Sequence, residues 1–217
     1  MRSSDCDGII LAAGLASRMG GEKLLHDIDG EPLVRRAVRN ALEACARVIV
    51  VVGHSANVVG AAIGDLDRSR LVMAPNRVYR AGMLGSIQAG MREVSSQWFF
   101  VAHGDMPELA PRIYAVVAGA IGDSIASSSR MAAGESSVRA VVPYYRGTRG
   151  HPVLIHKGLI AEILTEPPEG GPMRDLIERY PVRRLELEEQ AITLDIDTEE
   201  EYQAYLKRWN GGTGRLR

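Results

Sequence analysis

Residues 8–23, Gly-Ile-Ile-Leu-Ala-Ala-Gly-Leu-Ala-Ser-Arg-Met-Gly-Gly-Glu-Lys, bring Gly14, Gly20 and Gly21 into one short segment with Arg18 and Lys23. Glycine admits backbone conformations that turn N–H groups toward an anion, and two basic side chains can neutralise it. This combination suits the phosphates of a nucleoside triphosphate. Downstream, Gly104-Asp105-Met106-Pro107 and Asp195-Ile196-Asp197-Thr198 supply carboxylates. Carboxylates are hard oxygen ligands for Mg²⁺, the ion that triphosphate chemistry requires. Alternation along an extended chain puts Asp195 and Asp197 on one side and Ile196 on the other. One of the pair could therefore join Asp105 on a metal. A turn role before Pro107 is the structural alternative for Asp105, and Asp195 reads as a turn or loop-capping residue. In residues 81–90, Gly82 would let a base approach the backbone, and Ser86 sits near a predicted helix N-terminus, where anions are favoured. The rival reading there is helix packing through small residues.

The elements that must position these residues follow from the apolar pattern. Residues 8–12 form a strand buried on both faces, so the glycine-rich loop begins at the carboxyl edge of a parallel sheet. Further strands are expected at 48–52, 71–74, 98–102, 138–145 and 152–155, with residues 146–150 separating the last two. Between them, Pro32 takes the first position of a helix carrying Leu33, Val34, Ala37, Val38, Ala41, Leu42 and Cys45 at helical spacing. Ser55 opens a short helix, 85–94 and 111–121 are helical, and Thr198 with Glu201 makes a capping box for a last helix bearing Tyr202, Tyr205 and Leu206. Strands alternating with helices predict an α/β fold, a three-layer α/β/α sandwich around a Rossmann-like, mostly parallel sheet. Ligands in such sheets bind beyond the carboxyl ends of the strands, which places Asp105 on the same edge as Gly14.

The 217 residues, 46% hydrophobic and 24% charged, fit one globular domain over 1–210, with 211–217 as a disordered tail. A net charge of −1 offers no broad attraction to nucleic acid or anionic membranes. Local positive charge must then meet an anionic substrate, from Arg18, Lys23, Arg77, Arg80, Arg146 or Arg149. The two cysteines, Cys6 and Cys45, form neither a disulfide framework nor a metal cluster, and Cys45 reads as core. No signal peptide and no apolar run of membrane-spanning length is evident, so a cytoplasmic protein is expected.

The loop is neither a Walker A nor a dinucleotide fingerprint. It resembles the Leu-Ala-Ala-Gly-x-(Ser/Gly)-x-Arg-Met-Gly-x-x-Lys signature of the MobA-like NTP transferase family, whose members attach CMP or GMP to the molybdenum cofactor. It departs at Ala16, with a serine one position later at Ser17. Residues 82–90, 104–107 and 195–198 are similar to later family segments in the same order, and Arg149-Gly150-His151-Pro152 resembles one placed toward the acceptor. The resemblance implies a nucleotide-diphospho-sugar transferase-like fold. It implies that Leu11, Ala12, Ala13, Gly14, Lys23, Gly82 and Ser86 bind nucleotide, and that Lys23, Arg18 and Asp105 act in catalysis. Asp105 and Asp197 would hold Mg²⁺. The implied reaction moves a nucleotidyl group, most readily CMP from CTP, to molybdopterin or a related phosphorylated acceptor, releasing pyrophosphate; a molybdoenzyme would be a further partner. No acid–base role falls to the histidines, His103 shaping the turn before Asp105. A guanylyltransferase, an NAD(P)H-dependent reductase and a non-catalytic cofactor carrier are the alternatives.

Overall fold

The computed structural model describes residues 1–14, 23–128 and 138–210. Arg18, Gly20, Gly21, Ala16, Ser17 and the 211–217 tail lie outside the described residues. Strands are β1 (Asp7–Ala12), β2 (Asp27–Ile28), β3 (Glu31–Pro32), β4 (Arg47–Val52), β5 (Leu71–Pro75), β6 (Trp98–His103), β7 (Ala140–Tyr145), β8 (Thr148–Arg149), β9 (Val153–His156) and β10 (Val182–Glu186). Helices are α1 (Leu33–Ala44), α2 (Ala56–Ile63), α3 (Met83–Met91), α4 (Pro111–Ser128), α5 (Ile160–Ile163), α6 (Met173–Ile177) and α7 (Glu199–Asn210).

The main sheet runs β10-β7-β9-β6-β1-β4-β5, with β8 attached to β7. β1 is parallel to both β4 and β6, β4 to β5, and β7 to β10. β9 is antiparallel to both neighbours. The expected three-layer, mostly parallel architecture is what the chain adopts. β1 is apolar at successive positions because each face of the sheet is covered. Ile10 and Ala12 join Val34, Val38, Val59, Phe100 and Ile113 beneath α1, α2 and α4. Ile9, Leu11 and Ala13 join Leu84, Ile87, Met91, Ile163 and Leu176 beneath α3, α5 and α6. Gly90 lets α3 sit this close: a Cβ there would fall 2.7 Å from Ile9 Cγ2 and 2.9 Å from Val51 Cγ2.

Every expected strand is present, each with an end moved by one or two residues. Pro32 does not open α1 as its first residue. It pairs with Asp27 in the β2–β3 ladder, and its extended ψ of 144° keeps it outside the helix, at the N-cap. α3 starts at Met83 and ends at Met91 rather than spanning 85–94. α4 continues to Ser128, past the point where the apolar repeat gives way to Gly-Asp-Ser. β10 carries no strand signature because it is an edge strand rich in charge, Val-Arg-Arg-Leu-Glu, half-buried at Val182, Arg183 and Leu185 and exposed at Arg184 and Glu186. α5 and α6, of 4 and 5 residues, are too short to show a helical period.

One buried carboxylate anchors the strand that leads into the site. Asp7, 1% exposed at the start of β1, accepts hydrogen bonds from the Ser95 N–H (2.7 Å) and Ser96 N–H (3.1 Å) and an ion pair from Arg47 (3.3 Å). Burial alone would push its pKa up; the Arg47 guanidinium and the serine amides outweigh it and hold the carboxyl below its ordinary value. The stabilisation is therefore complete above the unfolded-state value of about 3.9 and is lost as pH falls through the lower folded-state value. Asp7→Ala is expected to cost about 2 kcal/mol at neutral pH in denaturant unfolding. The gap between wild type and variant should shrink in acid, and a constant gap from pH 7 to pH 2 would contradict the assignment.

Candidate active site

The carboxyl ends of β1 and β6 lie side by side, and the residues just beyond them make the site. The Gly104 N–H donates to the Leu11 carbonyl (3.0 Å), tying the Gly104-Asp105 turn to the end of β1. The Asp105 carbonyl accepts from the Ile196 N–H (3.2 Å), which brings the 195–197 segment onto the same edge. Ile196 is 1% exposed and packs with Ile28, Leu33 and Tyr205, while Asp195 and Asp197 turn the other way into the cavity. This is the alternation that the Asp-Ile-Asp spacing predicts. The capping box forms as well: Thr198 Oγ1 accepts from the Glu201 N–H (3.2 Å), and Glu201 Oε2 accepts from the N–H groups of Thr198 (2.9 Å) and Asp197 (2.8 Å). The cap of α7 thus fixes the backbone of Asp197 directly.

Leu11, Ala12, Ala13, Gly14, Lys23, Gly82, Ser86, Asp105 and Asp197, all singled out from the sequence, line one cavity of about 480 Å³. Arg77, Arg80 and Arg146 do not line it. Leu24, Tyr79, Met83, His103 and Asp195 complete its described wall. At its floor Lys23, only 7% exposed, places Nζ 2.6 Å from Asp105 Oδ2 and in contact with Asp197 Oδ1. Burial disfavours the ammonium, but the Asp105 and Asp197 carboxylates prevail and raise its pKa. The Asp195 pKa is also raised, by partial burial and by the charge of Asp197.

Among the described residues, Asp105 Oδ1 is buried with no hydrogen-bond partner. A buried carboxylate oxygen without a donor is unfavourable unless something cationic meets it. Together with the adjacent Asp197 carboxylate it is a suitable oxygen pair for a small divalent cation, which commonly takes one or two protein carboxylates and completes its shell with water and phosphate.

The opposite wall belongs to the β5–α3 connection. Gly82, at the N-cap of α3, has φ 131° and ψ 179°, a conformation essentially restricted to glycine. Ser86, one turn in, is held by Asn76, which the sequence reading did not single out. Asn76 is 4% exposed; its Oδ1 accepts from the Val78 N–H (2.9 Å) and its Nδ2 donates to Ser86 Oγ (3.0 Å). With the Ser86 oxygen accepting from Asn76, its hydroxyl hydrogen is left to donate elsewhere. The available signal was an asparagine immediately after a strand's carboxyl end, a position that reads equally well as an ordinary turn.

His103 and His151 stack edge to face, centroids 4.5 Å apart, and His151 Nδ1 donates to the Val101 carbonyl (3.2 Å). Burial, with Lys23 as the next cause, lowers His103 to about 4; burial, with His103 next, lowers His151 to about 3. Both rings are neutral near pH 7. They wall a second cavity of about 260 Å³ that shares Met83 and His103 with the first and carries Arg149. Arg149 pairs with Glu178 at 3.3 Å.

Residues 8–185 match the MobA-like NTP transferase domain. The chain is 29% identical to the molybdenum cofactor cytidylyltransferase of Escherichia coli (strain K12), over 96% of this chain and 98% of that one. It is 24% identical to a probable molybdenum cofactor guanylyltransferase of Bacillus cytotoxicus, covering 92% of this chain and 95% of that one. Among solved structures, Rv0371c from Mycobacterium tuberculosis H37Rv superposes with a TM-score of 0.73 at 22% identity, over 93% of this chain and 98% of that one. The match over most of the chain, joined to a site built at the sheet's carboxyl edge, makes this chain a member of the MobA-like NTP transferase family and a nucleotidyltransferase.

Proposed function

We propose that residues 1–210 form one nucleotidyltransferase domain that moves CMP from CTP to a molybdopterin-type acceptor with the help of Mg²⁺. The observation that carries this reading is the convergence of Lys23, Asp105 and Asp197 with the Leu11–Gly14 strand end and Ser86 in one cavity. CTP is favoured as donor by the similarity to the E. coli cytidylyltransferase along 96% of the chain.

In this reading the nucleotide lies along residues 11–14, with its phosphates toward Lys23 and its far side against Gly82 and Ser86. The acceptor enters from the second cavity, where Arg149 meets its anionic part and the neutral His103–His151 pair presents an uncharged wall. A terminal phosphate oxygen of the acceptor attacks the α-phosphorus; the bond from that phosphorus to the bridging oxygen of the β-phosphate breaks, and pyrophosphate departs with the electron pair. The nucleophile is already ionised at neutral pH, so no base is needed, in keeping with the neutral histidines. Lys23 offsets charge that develops on the leaving group, together with Arg18 from the loop. Asp105 and Asp197 would hold Mg²⁺, which supplies charge neutralisation on the phosphate oxygens.

The test is pyrophosphate release from CTP or GTP in the presence of molybdenum cofactor and Mg²⁺. Release with CTP is expected, and no release with any nucleotide would overturn the reading. Asp105→Asn should lower kcat/KM by about 10²- to 10³-fold with the melting transition intact; full residual activity would remove Asp105 from the machinery. Ser86→Ala should weaken CTP binding by about 3- to 10-fold, the worth of one hydrogen bond, measured by titration calorimetry. Unchanged affinity would exclude Ser86 as a nucleotide contact.

A further inference from the structure

The ammonium of Lys23 occupies one oxygen of each carboxylate to which a divalent cation would bind. Nζ lies 2.6 Å from Asp105 Oδ2 and touches Asp197 Oδ1; the Lys23 and Asp105 side chains are only 9% and 16% exposed, so that contact is enclosed, while Asp197, 46% exposed, opens toward solvent. An Mg²⁺ ion binds carboxylate oxygen at about 2.0–2.1 Å. Placed on the same two oxygens, it would sit against the ammonium with no anion between them, at a separation where like charges repel strongly. The two cations therefore compete for this carboxylate pair, in which Lys23 holds Asp105 Oδ2 and Asp197 Oδ1.

We infer that Lys23 is an interlock. In the nucleotide-free protein it serves as a counter-cation of Asp105 and Asp197 and weakens the binding of divalent metal to them. It yields the carboxylates only when a triphosphate offers its ammonium an alternative set of anionic oxygens. Metal and nucleotide then enter as a coupled pair, each raising the affinity for the other by the same factor. This assigns Lys23 a role in setting the order of assembly, distinct from stabilising the leaving group. The inference rests on the reading of Asp105 and Asp197 as metal ligands.

The experiment uses Mn²⁺ alone, followed by electron paramagnetic resonance of the free ion, with no nucleotide and no turnover. Wild type should bind Mn²⁺ weakly. Lys23→Met, which keeps the length of the stem and removes the charge, should bind it at least about tenfold more tightly, the effect of removing one competing cation. Lys23→Arg, which restores the charge, should return binding to the wild-type level, and Lys23→Met with Asp105→Asn should lose the gain, locating the ion. Should Lys23→Met fail to fold, Lys23→Gln provides the same comparison. Mn²⁺ binding no tighter in folded Lys23→Met or Lys23→Gln than in wild type, while CTP with Mn²⁺ still binds wild type, overturns the interlock alone. Failure of CTP with Mn²⁺ to bind wild type at all overturns the functional reading, and the nucleotide-free comparison then stands as a separate result.

Discussion

Two carboxylates and one ammonium share the floor of the cavity at the carboxyl edge of the sheet, and the surrounding structure can be understood as the means of holding them there. Lys23 arrives from the loop after β1, Asp105 from the turn after β6, and Asp197 from the segment before α7. The separations of 82 and 174 residues between Lys23 and its partners show how far the chain must fold to make the contact. Lys23 and Asp105, at 9% and 16% side-chain exposure, are charges that burial disfavours unless they are paired, while Asp197 stays half exposed at the rim. Backbone hydrogen bonds supply the fixed geometry: Gly104 to Leu11, Ile196 to Asp105, and the capping box that holds the Asp197 amide.

The sheet makes such a cluster possible because its central strands are covered on both faces and so tolerate little slippage. β1 carries Ile9 and Leu11 to one layer and Ile10 and Ala12 to the other, and a register shift of one residue would exchange the two layers. Asp7 pins the amino end of that strand through Arg47, Ser95 and Ser96, at the edge opposite the site. The stability of the fold and the placement of the chemistry are thus joined along a single strand. Gly90 extends the same logic to the far wall, since only its missing side chain lets α3 approach closely enough for Gly82 and Ser86 to face the cavity.

Much of this was legible from residue types. The doubly covered strands appear as unbroken apolar runs, and the motifs at Gly14 and Asp105 each follow such a run, so a parallel sheet with ligand at its carboxyl edge is enough to predict that these two meet; Asp197 follows a short 3-10 helix, Gln190–Thr193, instead of a strand. Asp-Ile-Asp reads correctly because strict alternation needs only local geometry, with Ile196 going to the core. Other features were hidden for physical reasons. β10 is a charged edge strand whose pairing depends on β7, and α5 and α6 are shorter than the period that would betray them. The role of Asn76 depends on where Ser86 and Val78 lie in space, and nothing local separates it from a turn asparagine. The direct pairing of Lys23 with both aspartates was likewise invisible, because the sequence marks Lys23 as a phosphate ligand and the aspartates as metal ligands without showing that they first satisfy each other.

The central claim is that one site at the sheet's carboxyl edge holds nucleotide, metal and Lys23 together. It is tested most directly by crystallography of the protein with Mn²⁺ and a non-hydrolysable CTP analogue, using anomalous scattering to locate the ion. The account predicts an anomalous peak within bonding distance of Asp105 and Asp197, with Lys23 Nζ moved from those carboxylates onto phosphate oxygens. A peak elsewhere, or a bound triphosphate with Lys23 still seated between the two aspartates, would contradict it.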